Sequence, residues 1–199
     1  MSNTLTIDLF AEDRAHEEFL KAMLHRIARQ ESKTLALHVR SARGGHGRAL
    51  DELALYQQSV LRLPETFRVP DLLCIAIDAD CQRFAGMRKQ IEAKLRPPFA
   101  DRAVIACPDP HIERWYLADP DSFQQAIGGR PELGRKKCER GFYKAALAKA
   151  VRDGGHPPTL GGIEFAREIV EAMDFFRAGK AEGSLKHFLD AAIAGVRMH

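Results

Sequence analysis

Residues 73–80 read LCIAIDAD: an apolar run that ends in two aspartates, Asp78 and Asp80, with one alanine between them. The run 71–78, DLLCIAID, is apolar on both faces. A central strand of a parallel sheet needs that pattern, because helices cover both of its sides. Side chains alternate along a strand, so acids two residues apart point to one face. Two such carboxylates are tolerable with a divalent cation, a shared proton or full solvation. The plainer alternative is a solvated turn in which Asp80 caps the next helix.

Working outward, TLTIDLF (4–10), TLALHV (34–39) and RAVIAC (102–107) also read as strands. Apolar residues at helical spacing predict helices over 14–30, 49–62 and 83–95. PHIERWYLA (110–118) opens with a proline, which suits a first helical turn, and Trp115 and Leu117 are expected to face inward. Strand and helix alternate four times. This predicts an α/β fold with an open, mostly parallel four-stranded, Rossmann-like sheet flanked by helices. Beyond about Pro120 the strand pattern stops. Residues 128–141 form a loop rich in Gly and basic side chains, and 142–152, 162–177 and 182–196 read as helices. The expected organisation is an α/β domain over 1–120 and a helical extension over 121–199 packed on it.

Function in such sheets gathers at the carboxyl ends of the strands. Glu12, directly after the 4–10 run, belongs on that rim with Asp78 and Asp80. Its bland role is that of a helix N-terminal acid favoured by the dipole. His16 shares the helical face of Glu12, where it could support a metal or a phosphate, though a surface histidine is the plainer role. After the fourth strand, His111 and Glu113 reach the same rim. Glu113 is a candidate for a second ion or for orienting water, or else pairs with Arg114 or Arg102. Hard cations such as Mg²⁺ take oxygen ligands and keep several waters, so two or three carboxylates suffice.

The 199 residues are 45% hydrophobic and 29% charged, with a formal charge of +3. A charge that small does not by itself point to nucleic acid. Two basic clusters, Arg40/Arg43/His46/Arg48 and Arg130/Arg135/Lys136/Lys137/Arg140, suit phosphates or are simply solvated loops. No apolar run approaches the ~18–20 residues that cross a bilayer, so no membrane partner is expected. MSNTLTIDLF lacks the features of a signal peptide. The four cysteines form no CxxC pair, and Cys74 and Cys107 lie in strand-like runs. A reduced, cytoplasmic setting is the expectation. A zinc site from Cys107, His111 and Cys138 matches no standard spacing. GGHG (44–47) lacks the Lys and the spacing of a P-loop.

An acid after the first strand, an FL-containing helix, then a hydrophobic run ending in Asp-x-Asp resembles the Toprim domain of topoisomerases, primases and overcoming-lysogenization-defect nucleases. LFAEDRAHEEFL, IAIDAD and PHIERWYLAD together look most like small stand-alone Toprim-like proteins of prokaryotic defence loci. The resemblance covers roughly 5–120. It implies a Mg²⁺- or Mn²⁺-dependent nuclease, the effector of an antiphage system acting on DNA or RNA beside an ABC- or AAA-type ATPase, in which homodimers are possible. It implies Asp78, Asp80, Glu12 and Glu113 as metal ligands and catalytic acids, and Lys136 or Lys137 as the catalytic lysine. Arg43, Arg48 and Arg135 would meet phosphates. The chain departs from the family at Glu12-Asp13, where Glu-Gly is usual, at His16, where an acid is common, and at His111, where Ser is usual. Two other classes stay open. One is a degenerate Toprim-like interaction module. The other is a phosphatase or phosphotransferase using an aspartate of the pair as nucleophile.

Overall fold

The computed structural model describes residues 4–42, 46–139 and 141–199, with the backbone alone at 46 and 47. Four strands, β1 (Thr4–Ala11), β2 (Thr34–Ser41), β3 (Leu72–Ala76) and β4 (Ala103–Ala106), form one all-parallel sheet in the order β2-β1-β3-β4. Between them lie α1 (Arg14–Gln30), α2 (His46–Arg62) and α3 (Phe84–Lys94).

The alternation of side chains sorts the sheet into two apolar layers. Leu5, Ile7 and Leu9 of β1, with Cys74 and Ala76 of β3, join Phe19, Leu20, Met23 and Ile27 of α1. Phe10 and the β3 residues Leu73 and Ile75 face the other way, onto Leu53 of α2 and Met87 and Ile91 of α3. Helix α1 therefore covers one face and α2 and α3 the other. This is what right-handed crossovers demand when the chain winds leftward from β1 to β2, then rightward through β3 to β4.

The helical segment after the sheet comprises α4 (Glu113–Tyr116), α5 (Pro120–Ile127), α6 (Phe142–Asp153), α7 (Ala166–Ala172), α8 (Phe175–Ala181) and α9 (Gly183–Met198). Leu147, Ile169, Leu185 and Phe188 join the α1-side core, so this segment shares the sheet's interior. Trp115 and Leu117 are fully buried, as their spacing predicts.

Two helical expectations need correction. The stretch 110–118 is helical only from Glu113 to Tyr116, preceded by a cis Asp109–Pro110 peptide. The expected helix over 162–177 is broken at Met173-Asp174. There the Asp174 carboxylate accepts from the Arg177 amide and starts α8 as its N-cap. Among the described residues no helix is long and apolar enough to cross a membrane.

Candidate metal centre

Strands β1 and β3 are neighbours in the sheet, but the chain leaves them towards opposite faces. That is the topological switch point, where open α/β sheets leave a crevice beyond their carboxyl ends. Both acid-bearing segments emerge there. Glu12 follows β1 directly, and its amide donates to the Ala76 carbonyl (2.9 Å). Its carboxylate Oε2 accepts the Asp78 amide (3.0 Å), which fastens the end of β1 to the end of β3.

Strand alternation is not what brings Asp78 and Asp80 together, because β3 ends at Ala76. The turn beyond it does so. The Ala79 amide donates to Pro108 O (2.7 Å) and the Asp80 amide to Pro110 O (3.0 Å). Asp80 takes a left-handed φ of 47°, and Arg83, three residues on, has φ 66°. Non-glycine residues in this region are strained, persist where surrounding contacts over-determine them, and cluster at functional sites. Asp80 does not cap α3, which Arg83 precedes without a side-chain cap bond.

The same backbone bonds hang the 108–111 segment over the pair. His111 Nδ1 lies 3.3 Å from Asp78 Oδ2 and 3.3 Å from Asp80 Oδ1. One ligand atom from each of Asp78, Asp80 and His111 falls within 4.8 Å of the others, so the trio can hold a metal ion. The cleft around it has a volume of about 570 Å³. Among the described residues, five carboxylates line it, from Glu12, Asp13, Asp78, Asp80 and Glu113, with the Lys144 ammonium and the His111 ring opposite them. That excess of negative charge suits a divalent cation.

His16 is not on the surface. It is fully buried beneath the cleft, with Nδ1 2.8 Å from Asp13 Oδ1 and Nε2 3.0 Å from Asp78 Oδ1. Burial would lower its pKa, but the Asp78 charge and the hydrogen bonds to Asp13 and Asp78 hold it well above the ordinary value. The buried His16 ring thus bridges two carboxylates. Burial pushes the Asp78 carboxyl up, yet the His16 charge and the hydrogen bonds from His111 and His16 leave it lowered. Asp13 is lowered too, since its bonds to His16 overcome its own burial. The hydrogen bond to Asp78 raises His111 against the effect of its partial burial.

Glu113 is buried and 3.8 Å from Lys144 Nζ. Its pKa is raised by burial, with the Asp78 charge adding to it. It pairs with neither expected arginine. Arg114 bonds Glu182 and the Tyr143 hydroxyl, and Arg102 donates to Pro70 O. These contacts anchor α4, with Trp115 Nε1 donating to Ser184 Oγ (3.0 Å).

The expected lysines are elsewhere. Lys136 pairs with Asp109 (3.0 Å), and the Lys137 ammonium sits 4.7 Å from the Phe142 ring centroid. Neither lines the cleft, whereas Lys144 does. No local motif marks Lys144, which arrives on the first turn of α6 after a long loop. Arg48 and Arg135 are exposed and outside the cleft lining, and Arg43 lies outside the described residues.

A disulfide joins Cys81, next to Asp80, to Cys138, and both line the cleft. It ties the basic loop to the turn that carries Asp78 and Asp80. The reading of the chain as reduced does not account for it, since 57 residues separate the pair and no spacing pattern marks it. Cys74 and Cys107 are free and buried, and Cys138 is taken by the disulfide, so Cys107, His111 and Cys138 do not form a zinc site. The chain matches no family model, no curated protein and no solved structure.

Proposed function

We propose that the chain is a divalent-metal-dependent nuclease whose reacting centre is the cleft above β1 and β3. The observation that carries this reading is the meeting of Asp78, Asp80 and His111 around one point, within a cleft rich in further carboxylates. A divalent ion held by these three would polarise a phosphate oxygen and supply a more acidic water. Glu12 keeps the Asp78 backbone in place through its 3.0 Å hydrogen bond. Lys144 offsets the charge that develops on the phosphate. In the hydrolysis a bond forms between phosphorus and the water oxygen, and the bond to the leaving nucleoside oxygen breaks. The water gives its proton to a cleft carboxylate, and the leaving oxygen takes one from Glu113.

The resemblance to the Toprim domain supports the same chemistry. It extends the proposal to an ATPase partner, because this chain carries no GxxxxGK[ST] of its own. The exposed Arg48 and Arg135 are the proposed phosphate contacts away from the cleft.

One observation favours a second reading, a non-catalytic module. Both oxygens of Asp78 already face an imidazole, His16 at 3.0 Å and His111 at 3.3 Å, so the acid is balanced without an ion. Cleavage of labelled DNA and RNA with Mg²⁺ or Mn²⁺ separates the two. Activity in the wild type that falls at least about a hundredfold in Asp78→Asn and in Lys144→Met supports the nuclease. Equal activity in all three removes the proposed centre. No activity, with no effect of divalent ions on thermal stability, supports the module.

A further inference from the structure

We infer that His111 is itself a ligand, which makes this a mixed nitrogen–oxygen site for Mn²⁺ and the later divalent metals rather than an all-oxygen Mg²⁺ site. The inference rests on the metal-binding half of the reading above and not on its nuclease half.

The two imidazoles of the cluster differ in a telling way. Both nitrogens of His16 are partnered at ordinary hydrogen-bond lengths, 2.8 and 3.0 Å. Those contacts and its burial account for it fully as a structural residue. His111 Nδ1 instead stands 3.3 Å from one oxygen of each aspartate. A charge-assisted bond to one carboxylate would close to about 2.7–2.9 Å. Equal, longer spacing is what ligands show around a shared centre. Metal–ligand bonds of about 2.1 Å set neighbouring ligand atoms roughly 3.0–3.4 Å apart, from right-angled to tetrahedral arrangements.

The other ring nitrogen supplies an independent sign. His111 Nε2 is buried and has no hydrogen-bond partner among the described residues. Leaving a buried nitrogen unpaired costs stability, and the side-chain bond of the ring, from Nδ1 to Asp78, is long at 3.3 Å, so hydrogen bonding alone holds the ring only weakly. What places it is the backbone of residues 108–110, bonded to Ala79 and Asp80, which directs Nδ1 between the two carboxylates.

Ligand chemistry then fixes the class of ion. Mg²⁺ prefers oxygen and parts reluctantly with water, whereas imidazole suits the transition metals and zinc. Two carboxylates with one imidazole favour Mn²⁺, Fe²⁺, Co²⁺ or Zn²⁺. The soft end of the series gains nothing further, because the two cleft sulfurs are closed in the Cys81–Cys138 bridge.

The test is pulsed electron paramagnetic resonance on the intact chain loaded with Mn²⁺, with calorimetric titration of Mn²⁺ and Mg²⁺ alongside. The expected result is nitrogen modulation from a directly bound imidazole, lost in His111→Asn. Mn²⁺ should bind at least about tenfold tighter than Mg²⁺, a margin that narrows in His111→Asp, which restores an all-carboxylate set. Bound Mn²⁺ without nitrogen modulation overturns the inference and leaves the metal centre and the nuclease reading in place. So does modulation that persists in His111→Asn. No ion binding overturns both. Modulation that depends on His111, in a protein that cleaves nothing, supports the inference and removes only the nuclease.

Discussion

Two groups of carboxylates stand at the ends of elements in this chain, and they are satisfied in opposite ways. Asp119, the N-cap of α5, is buried and accepts from the Asp174 amide (2.8 Å) and the Arg177 guanidinium (3.0 and 3.2 Å). Its oxygens are saturated by donors, and the result is a fixed joint between α5 and α8. The Asp78/Asp80 pair meets imidazoles and further acids instead, in a cleft with five carboxylates. A saturated acid stabilises the fold. Acids that stand among other acids and meet only imidazoles keep lone pairs that a cation can use. The loop over the cleft shows the same contrast: residues 134–139 are exposed and held by a covalent link, whereas the Asp119 joint needs none.

The largest expected effect concerns that link. Closing 57 residues of chain with the Cys81–Cys138 bridge contributes about 4 kcal/mol in the chain-entropy account. Reduction, or Cys138→Ser, should lower the melting temperature by about 10 °C. A shift within 2 °C of zero (about half a kcal/mol) would show that the loop holds its place without the bridge. Next comes Asp119→Ala, which leaves the Asp174 amide without its acceptor and should cost about 2–3 kcal/mol in denaturant unfolding. A cost under about 0.5 kcal/mol would erase the distinction between the two acids.

The pH dependence sharpens the same point. Burial pushes the Asp119 carboxyl up, but the bond from Arg177, with those from Asp174 and Ser122, holds it below the usual range. A lowered folded pKa means the unfolded chain binds more protons. The stabilisation is therefore full above about pH 4, the unfolded value, and is lost as pH falls through the folded one. The stability gap between wild type and Asp119→Asn should close below about pH 4 and stay constant above about pH 5. The smallest effect is expected at Asp80→Asn. Asp80 is half-exposed and faces both His111, at 3.3 Å, and other carboxylates, so its neutralisation should change the stability of the metal-free protein by less than about 1 kcal/mol in either direction.

How much of this was legible in the sequence follows from the range of each signal. The strands and helices of the first half have strong local periodicity, and the rim position of Glu12, Asp78, Asp80 and Glu113 follows from parallel topology. What stayed hidden depends on the chain's return. Lys144 enters the cleft because the 128–141 loop comes back over it, and Cys138 finds Cys81 for the same reason. His16 looked like a surface residue because helical spacing from Glu12 says which face it shares but not that Asp78 closes over that face. The break at Met173-Asp174 had a local sign, an aspartate placed to cap, inside a pattern that otherwise reads as one helix.

The central claim is that residues distant in the chain converge on one divalent cation above β1 and β3. Calorimetric titration of Mn²⁺ into wild type and Asp80→Asn tests it most directly. One ion per chain should bind the wild type, and the variant should bind at least about tenfold more weakly. No binding to the wild type, or equal binding to both, would contradict the account.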